Sequence, residues 1–67
     1  MIIFYNDQPT TLPNNFMTLA ELAEWKNIPE NGTAIALNDK MIPRKQWSVT
    51  DLKDTDRITV ITAAFGG

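Results

Sequence analysis

Cysteine and histidine are both absent from this 67-residue sequence. Without cysteine there are no disulfides and no thiolate ligands for zinc, so nothing in the sequence requires an oxidising compartment. Without histidine, the commonest general base and metal ligand is missing as well. We therefore expect no metal site, no bound cofactor and no catalytic residue of the chain's own, which makes an enzyme the remotest class of function.

Long apolar runs and an excess of basic residues are also lacking. No run approaches the roughly 20 apolar residues that cross a bilayer, and the first residues lack the basic and apolar regions of a signal peptide. Six Lys and Arg against eight Asp and Glu give a net charge of -2, which argues against binding to a phosphate backbone. We expect a cytoplasmic domain that contacts neither membrane nor nucleic acid.

The first half of the sequence predicts a β-hairpin followed by a helix. Residues 1–5 form a strand with Ile3 and Tyr5 on one face and Ile2 and Phe4 on the other. Turn-forming residues at 6–9 lead to a second strand at 10–12. Thr18 and Glu21 then form a capping box, and turn-forming residues at 28–32 end the helix. The helix residues expected in the core are Leu19, Leu22, Ala23 and Trp25.

The second half predicts three more strands, at residues 33–37, 40–42 and 57–63. A tight turn at 38–39 joins the first two. A helical turn at 44–47 and a polar, acidic connection at 51–56 lead to the last strand. There Ile58 and Val60 share one face and Ile61 lies on the other.

The order β-β-α-β-β-β indicates an α+β fold with a four- to five-stranded mixed sheet packed on one main helix. The simplest arrangement places the first and last strands side by side in the centre, where they run parallel. This layout is the β-grasp, or ubiquitin-like, fold. We expect the folded domain to span residues 1–63 and residues 64–67 to form a flexible tail.

The sequence ends in two glycines. Because glycine has no Cβ, Gly66 and Gly67 give a narrow and permissive backbone. Such a tail can enter the active-site channel of a partner and present its terminal carboxylate there. The alternative is a frayed terminus without function, since terminal residues are often disordered.

The sequence as a whole closely resembles the ThiS family of sulfur carriers. The segments that carry the resemblance are Asn6-Asp7 after the first strand, residues 34–38, Ile42-Pro43-Arg44 followed by Trp47, Asp54-Thr55-Asp56, and residues 63–67. The Pro-Arg-x-x-Trp segment and the Gly-Gly end are the most specific. Two positions depart from the family pattern, because Thr55 replaces a glycine and the bulky Phe65 precedes the glycines. We expect Thr55 to occupy a loop that needs no positive φ.

The resemblance implies a chemistry for the tail. In ThiS-like proteins an E1-like enzyme, ThiF, uses ATP and magnesium to adenylate the terminal carboxylate, here that of Gly67. A persulfide donor then supplies sulfur, and the resulting thiocarboxylate passes it to the thiazole synthase ThiG. The resemblance assigns Gly66, Phe65 and Ala64 to the part of the tail that enters the partner. It implies a carrier that is monomeric when free and binds no cofactor itself.

Docking residues are predicted from the outer face of the sheet. Ile2, Phe4 and Ile61 lie on the outer face of the two central strands, and a contiguous apolar patch there would mark a docking surface. Scattered surface hydrophobic residues are the alternative. Arg44 is either a partner contact or, as we favour, a solvated or structural arginine. Trp47 is expected to be structural, because its large ring would cover one end of the core.

Phe65, the three aspartates before the last strand and the function each allow more than one interpretation. Phe65 is either an apolar anchor on the partner or a side chain that folds back on the sheet. Asp51, Asp54 and Asp56 read as a solvated turn, because they lack the spacing of a calcium loop. A MoaD-like carrier for molybdopterin would use the same tail chemistry. A β-grasp binding module with an incidental Gly-Gly end is the alternative from another functional class.

Overall fold

The structure, a computed structural model, describes residues 1–29 and 31–62 of the chain. A 3₁₀ helix lies between the fourth and fifth of its five strands. In chain order the elements are β1 (Ile2–Tyr5), β2 (Gln8–Thr11), α1 (Leu19–Trp25), β3 (Thr33–Leu37), β4 (Lys40–Met41), the 3₁₀ helix (Arg44–Val49) and β5 (Arg57–Thr62). The predicted boundary between residues 1–63 and 64–67 lies outside the described residues and stays a prediction.

The five strands form one mixed sheet in the order β2-β1-β5-β3-β4. β1 and β5 run parallel in the centre, whereas the other neighbouring strands are antiparallel. The two central strands are connected through all the other elements, as a parallel pairing of distant strands requires. Helix α1 covers one face of this sheet. The α+β, β-grasp fold predicted from the sequence is confirmed, with five strands.

The core lies between the inner face of the sheet and α1. Leu19 and Leu22 of the helix are fully buried against inward-facing residues of the central strands. The strand residues in this cluster are Ile3, Ile35 and Ile58, each at most 1% exposed. Trp25 was expected in the core, and this is wrong because its side chain is 41% exposed. Trp25 is the last residue of α1, and at this end of the helix the rest of the protein covers only part of its ring.

The helix begins as predicted but ends earlier. The side chain of Thr18 accepts a hydrogen bond from the amide of Glu21, and the Glu21 carboxylate accepts one from the amide of Thr18. At the other end Asn27 has a φ of 55°, and its amide donates to the carbonyl of Glu24. The amide of Ile28 donates to the carbonyl of Ala23, which completes a Schellman motif. Asn27, rather than the turn residues at 28–32, therefore ends the helix.

Two Asn-Asp pairs make the tight turns of the two hairpins. Asn6 and Asp7 have φ values of 48° and 67°, and the pair at 38–39 has φ values of 51° and 68°. Positive φ at both central residues is the geometry of a type I′ turn, which matches the twist of paired strands. The first turn is therefore only two residues long. The predicted N-terminal hairpin is confirmed, but its turn is shorter than the expected 6–9, and β2 spans Gln8–Thr11 instead of 10–12.

The 3₁₀ helix closes one end of the core with its tryptophan. Trp47 is 5% exposed, and its indole N–H donates to the carbonyl of Ile42 at 2.9 Å. The bond matters because a buried indole N–H without an acceptor costs free energy. The predicted structural role of Trp47 is confirmed, and the helical turn expected at 44–47 extends to Val49.

The acidic connection before β5 is held by hydrogen bonds and contains a strained residue. Asp54 accepts a bond from the amide of Ile2, while Asp56 accepts bonds from the amide of Lys53 and the side chain of Asn38. Thr55 has a φ of 68°. The expectation that Thr55 needs no positive φ is therefore wrong. A β-branched residue is unfavourable in this region, because its Cβ crowds the backbone.

Candidate functional site: the outer sheet face and the end of β5

Strand β5 carries the chain from the centre of the sheet toward the predicted reacting residue. It is flanked by β1 and β3, and its last described residue, Thr62, pairs with Thr33. The amide of Val60 donates to the side chain of Asn6 at 2.8 Å, so β5 remains bonded beyond the end of β1. The predicted tail residues Ala64, Phe65, Gly66 and Gly67 lie outside the described residues. The strand that precedes them has a fixed position.

The outer face of the sheet carries the three predicted docking residues, all exposed. Ile2, Phe4 and Ile61 are 47%, 37% and 52% exposed. The register separates them, because Phe4 pairs with Arg57, four residues before Ile61 in β5. Four residues of strand span about 13 Å. The three residues therefore share one face without forming one continuous cluster.

Apolar residues of β3 and β4 lie on the same outer face as Ile61. Ile61 pairs with Ala34, and two residues along β3 Ala36 pairs with Met41 of β4. Met41 is 54% exposed, whereas Ala36 is buried at 8% exposed and Ala34 is partly buried. We call Ile61, Ala34, Ala36 and Met41 the β5-end cluster. Its member Ile61 directly precedes Thr62, the last described residue of β5.

Sequence reasoning missed three members of this cluster. Alternation in the strand at 33–37 already places Ala34 and Ala36 opposite Ile35, and that signal was available. Met41 could be placed only once its pairing with Ala36 was known. In a strand of two residues, alternation alone does not tell which side chain faces outward.

Both edges of the sheet are poorly suited to pairing with another strand. The amide of Leu12 donates to the carbonyl of Met1, so Phe4 and Pro9 form a non-hydrogen-bonded pair. The nitrogen of Pro9 therefore points to the free edge of β2, where it has no hydrogen to donate. At the other edge, β4 has two residues and is soon followed by Pro43. A partner has little backbone to pair with, which favours docking on the face.

Arg44 lies away from this face. It begins the 3₁₀ helix that packs on α1, and its guanidinium lies 5.8 Å from the centre of the Trp47 ring. Ala20, Ala23 and Ile28 border the same groove. The structure therefore does not bring Arg44 together with the docking residues, and a partner contact by Arg44 stays a prediction.

The comparisons with known proteins agree with this geometry. The model of the ThiS family matches residues 3–67. The chain belongs to the ThiS family. A curated relative from Escherichia coli (strain K12), the sulfur carrier protein ThiS, is 33% identical over 67 residues, which cover all of both chains.

Solved structures support the same fold for this ThiS-family chain. A crystal structure of the thiamine biosynthesis protein ThiS from Geobacter metallireducens superposes with a TM-score of 0.86 at 22% identity, covering all of both chains. A solution structure of a thiamine biosynthesis protein from the same organism gives a TM-score of 0.83 at 22% identity. It covers all of this chain and 88% of the other.

Residues 1–29 and 31–62 offer neither a metal site nor a membrane-spanning helix. These residues contain no group of three acidic, histidine or cysteine side chains that could hold a metal ion. They also contain no helix long and apolar enough to cross a membrane. A pocket of about 570 Å³ lies beside Met1, Phe16 and Leu52, at the end of the sheet where β5 begins. It is thus remote from the end where β5 leads to the tail.

Proposed function

We propose that this chain is a sulfur carrier for thiamin thiazole formation and that the carboxylate of Gly67 is its reacting group. The observation that carries the proposal is the match, through residue 67, to a family whose curated relative is a sulfur carrier. The fold supports it, because a central strand leads directly to the Gly-Gly end. The carrier itself is a protein co-substrate rather than an enzyme.

The proposed chemistry begins with activation of the carboxylate. A carboxylate is a poor electrophile, so an E1-like enzyme, ThiF, uses ATP and magnesium to convert it to an acyl-adenylate with release of pyrophosphate. The terminal sulfur of a persulfide then attacks the acyl carbon, and AMP leaves. Cleavage of the S–S bond by a thiol releases a thiocarboxylate, which donates its sulfur to the thiazole synthase ThiG.

In this scheme the carrier supplies the acyl carbon and the reach, and the partners supply the catalytic groups. The five residues after Thr62 extend at most about 17 Å. Side chains at Gly66 and Gly67 would widen the segment that enters the partner's channel, so glycine is the residue that fits there. The full sequence contains neither His nor Cys, so proton transfer and sulfur delivery fall to other proteins.

We assign docking on these enzymes to the outer face of the sheet. The β5-end cluster lies beside the strand that delivers the tail, and its exposed Ile61 and Met41 offer apolar side chains to a partner. Ile2 and Phe4 extend this surface toward the other end of the face. Because both edges of the sheet offer little backbone for pairing, its outer face is the more suitable surface for docking.

Intact-protein mass spectrometry tests the proposal. The chain is incubated with the adenylating enzyme, ATP, magnesium and a persulfide donor, beside a variant lacking Gly67. We expect the full chain alone to gain AMP and then to exchange one oxygen for sulfur. If an enzyme active on another carrier leaves the mass unchanged, the binding-module alternative replaces the carrier. Transfer of the sulfur to thiazole synthase, rather than to the molybdopterin-forming enzyme, tests the pathway.

A further inference from the structure

Arg57 places a positive charge on the apolar outer face of the sheet. It pairs with Phe4 of β1, and residues paired across neighbouring strands share a face. Ile58 is buried on the helix side, so alternation along β5 also directs Arg57 outward. The outward-facing residues of the described strands include no Asp or Glu, although the whole chain has eight. This face is therefore cationic in a chain of net charge -2.

Arg57 lies between the two apolar parts of this face. Phe4 is beside it in β1, and Ile2 precedes Phe4 by two residues. In the other direction Thr59 separates Arg57 from Ile61 along β5. Arg57 and Ile61 are four residues apart, about 13 Å of strand. A partner that contacts both apolar parts, as proposed above, also covers Arg57.

The backbone of Arg57 is held in place, whereas its side chain is exposed. Its amide donates to the side-chain oxygen of Asn38 at 2.9 Å, and its carbonyl accepts from the amide of Asn38 at 2.8 Å. The side-chain amide of Asn38 donates in turn to Asp56 at 3.0 Å. The Arg57 side chain is 57% exposed. A guanidinium on a fixed backbone needs less ordering when a partner binds it.

A carboxylate of the chain itself shows which chemical group this guanidinium attracts. Nη2 of Arg57 lies 3.6 Å from Oδ1 of Asp39, whose side chain is 75% exposed. An ion pair this exposed contributes little to stability, because water screens it. A guanidinium has several N–H donors in a fork that matches a carboxylate. A carboxylate of a partner can therefore replace Asp39 or bind beside it.

We propose that Arg57 is the central polar contact of the docking surface and pairs with an acidic side chain of the adenylating enzyme. This inference rests on the function proposed above and on docking at the outer face. A standard interface buries about 800 Å² on each partner, which is a patch of about 16 Å radius. Such a patch around Ile61 includes Arg57. Apolar contacts on both sides then exclude water and strengthen the charge pair.

The test compares Arg57→Gln and Asp39→Asn with two controls that remove the same charges elsewhere. Lys45→Gln lies on the 3₁₀ helix, on the helix side of the fold, and Asp51→Asn follows that helix. The dissociation constant of each chain from the adenylating enzyme is measured by calorimetry, with KM and kcat for carrier-dependent release of pyrophosphate. Thermal unfolding followed by circular dichroism verifies that each variant is folded.

We expect Arg57→Gln to raise the dissociation constant and KM about three- to tenfold, the range of a charged contact within an interface. kcat should stay unchanged, because Arg57 does not touch the reacting carboxylate. Asp39→Asn should bind at least as tightly as the original chain, since it removes the competing carboxylate. At physiological salt distant charges are screened within about 8 Å, so the two controls should bind like the original chain.

The inference is overturned if folded Arg57→Gln binds as tightly as the original chain, or if Lys45→Gln weakens binding equally. The second result would indicate attraction of the whole charge rather than a contact. Weaker binding of Asp39→Asn also overturns it, because the pair of Arg57 and Asp39 would then be needed intact. If the original chain is itself not adenylated, the proposed function fails, and that failure is seen without any variant.

Discussion

Strand β5 carries one isoleucine on each face of the sheet, and the two residues have opposite surroundings. Ile58 faces α1 and is 1% exposed, whereas Ile61 faces away from the helix and is 52% exposed. Residues 1–29 and 31–62 contain a single α-helix, which covers one face of a sheet that carries apolar residues on both faces. The inner isoleucine contributes to folding, and the outer one is available to a partner. Two identical side chains, three residues apart in β5, thus serve different purposes.

Alanine substitution at the two isoleucines should separate stability from binding. We expect Ile58→Ala to lower the free energy of unfolding by about 2–5 kcal/mol, because it removes buried contacts and leaves a cavity. A core this small supplies only about 3–5 kcal/mol, so this variant should unfold at a much lower urea concentration. Ile61→Ala is the matched control and should change the free energy by less than about 0.5 kcal/mol. Urea denaturation followed by circular dichroism measures both, and equal losses would contradict the assignment of the faces.

For binding to a partner, Ile61 should matter more than Ile58. Ile61→Asp places a charge in the β5-end cluster, and we expect it to raise the KM of the adenylating enzyme for the carrier about tenfold or more. Val49, 76% exposed on the 3₁₀ helix, is an apolar residue away from this face, so Val49→Asp serves as the control. A rise in KM for Val49→Asp alone would place the docking surface on the helix side instead.

Removing the strain at Thr55 should stabilise the protein, so that variants at Ile58 and Ile61 can be measured in a more stable chain. Thr55→Gly removes a Cβ that costs about 1–2 kcal/mol at positive φ and adds a smaller entropy cost in the unfolded chain. We expect a gain in unfolding free energy of about 0.5–1 kcal/mol, with unchanged binding. Thr59→Gly, within strand β5, should instead destabilise the protein. If both glycine variants lose stability, the φ of Thr55 carries no strain.

Much of the fold was predictable because its local signals agree with one another. The capping box of Thr18 and Glu21, the strand at 33–37 and the alternation in β1 were all read correctly, since each depends on neighbouring residues. Errors arose where tertiary contacts overrode these signals. Trp25 has an apolar side chain typical of a core residue, but it lies at the end of α1, where it is only partly covered. Thr55 is held at positive φ by the hydrogen bond from its amide to the carbonyl of Ile2.

The arrangement of the predicted docking residues was likewise foreseen only in part. Alternation placed Ile2, Phe4 and Ile61 on the correct face, but it gives no register between strands. The pairing of Phe4 with Arg57 and of Ala36 with Met41 decides which apolar residues are neighbours. That pairing divides the predicted patch and places Met41 level with Thr59, in the middle of β5.

Local sequence patterns are enough to indicate the order of the elements, the two faces of the longer strands, the family and the Gly-Gly end. These are encoded in residues close together along the chain or in a pattern shared with relatives. Only the tertiary structure decided which apolar face is covered, where Ile61 lies relative to Phe4, and that Arg57 lies beside Phe4 on the outer face. Those facts depend on strand register and helix length in space, because side chains far apart in sequence meet only after the sheet has closed.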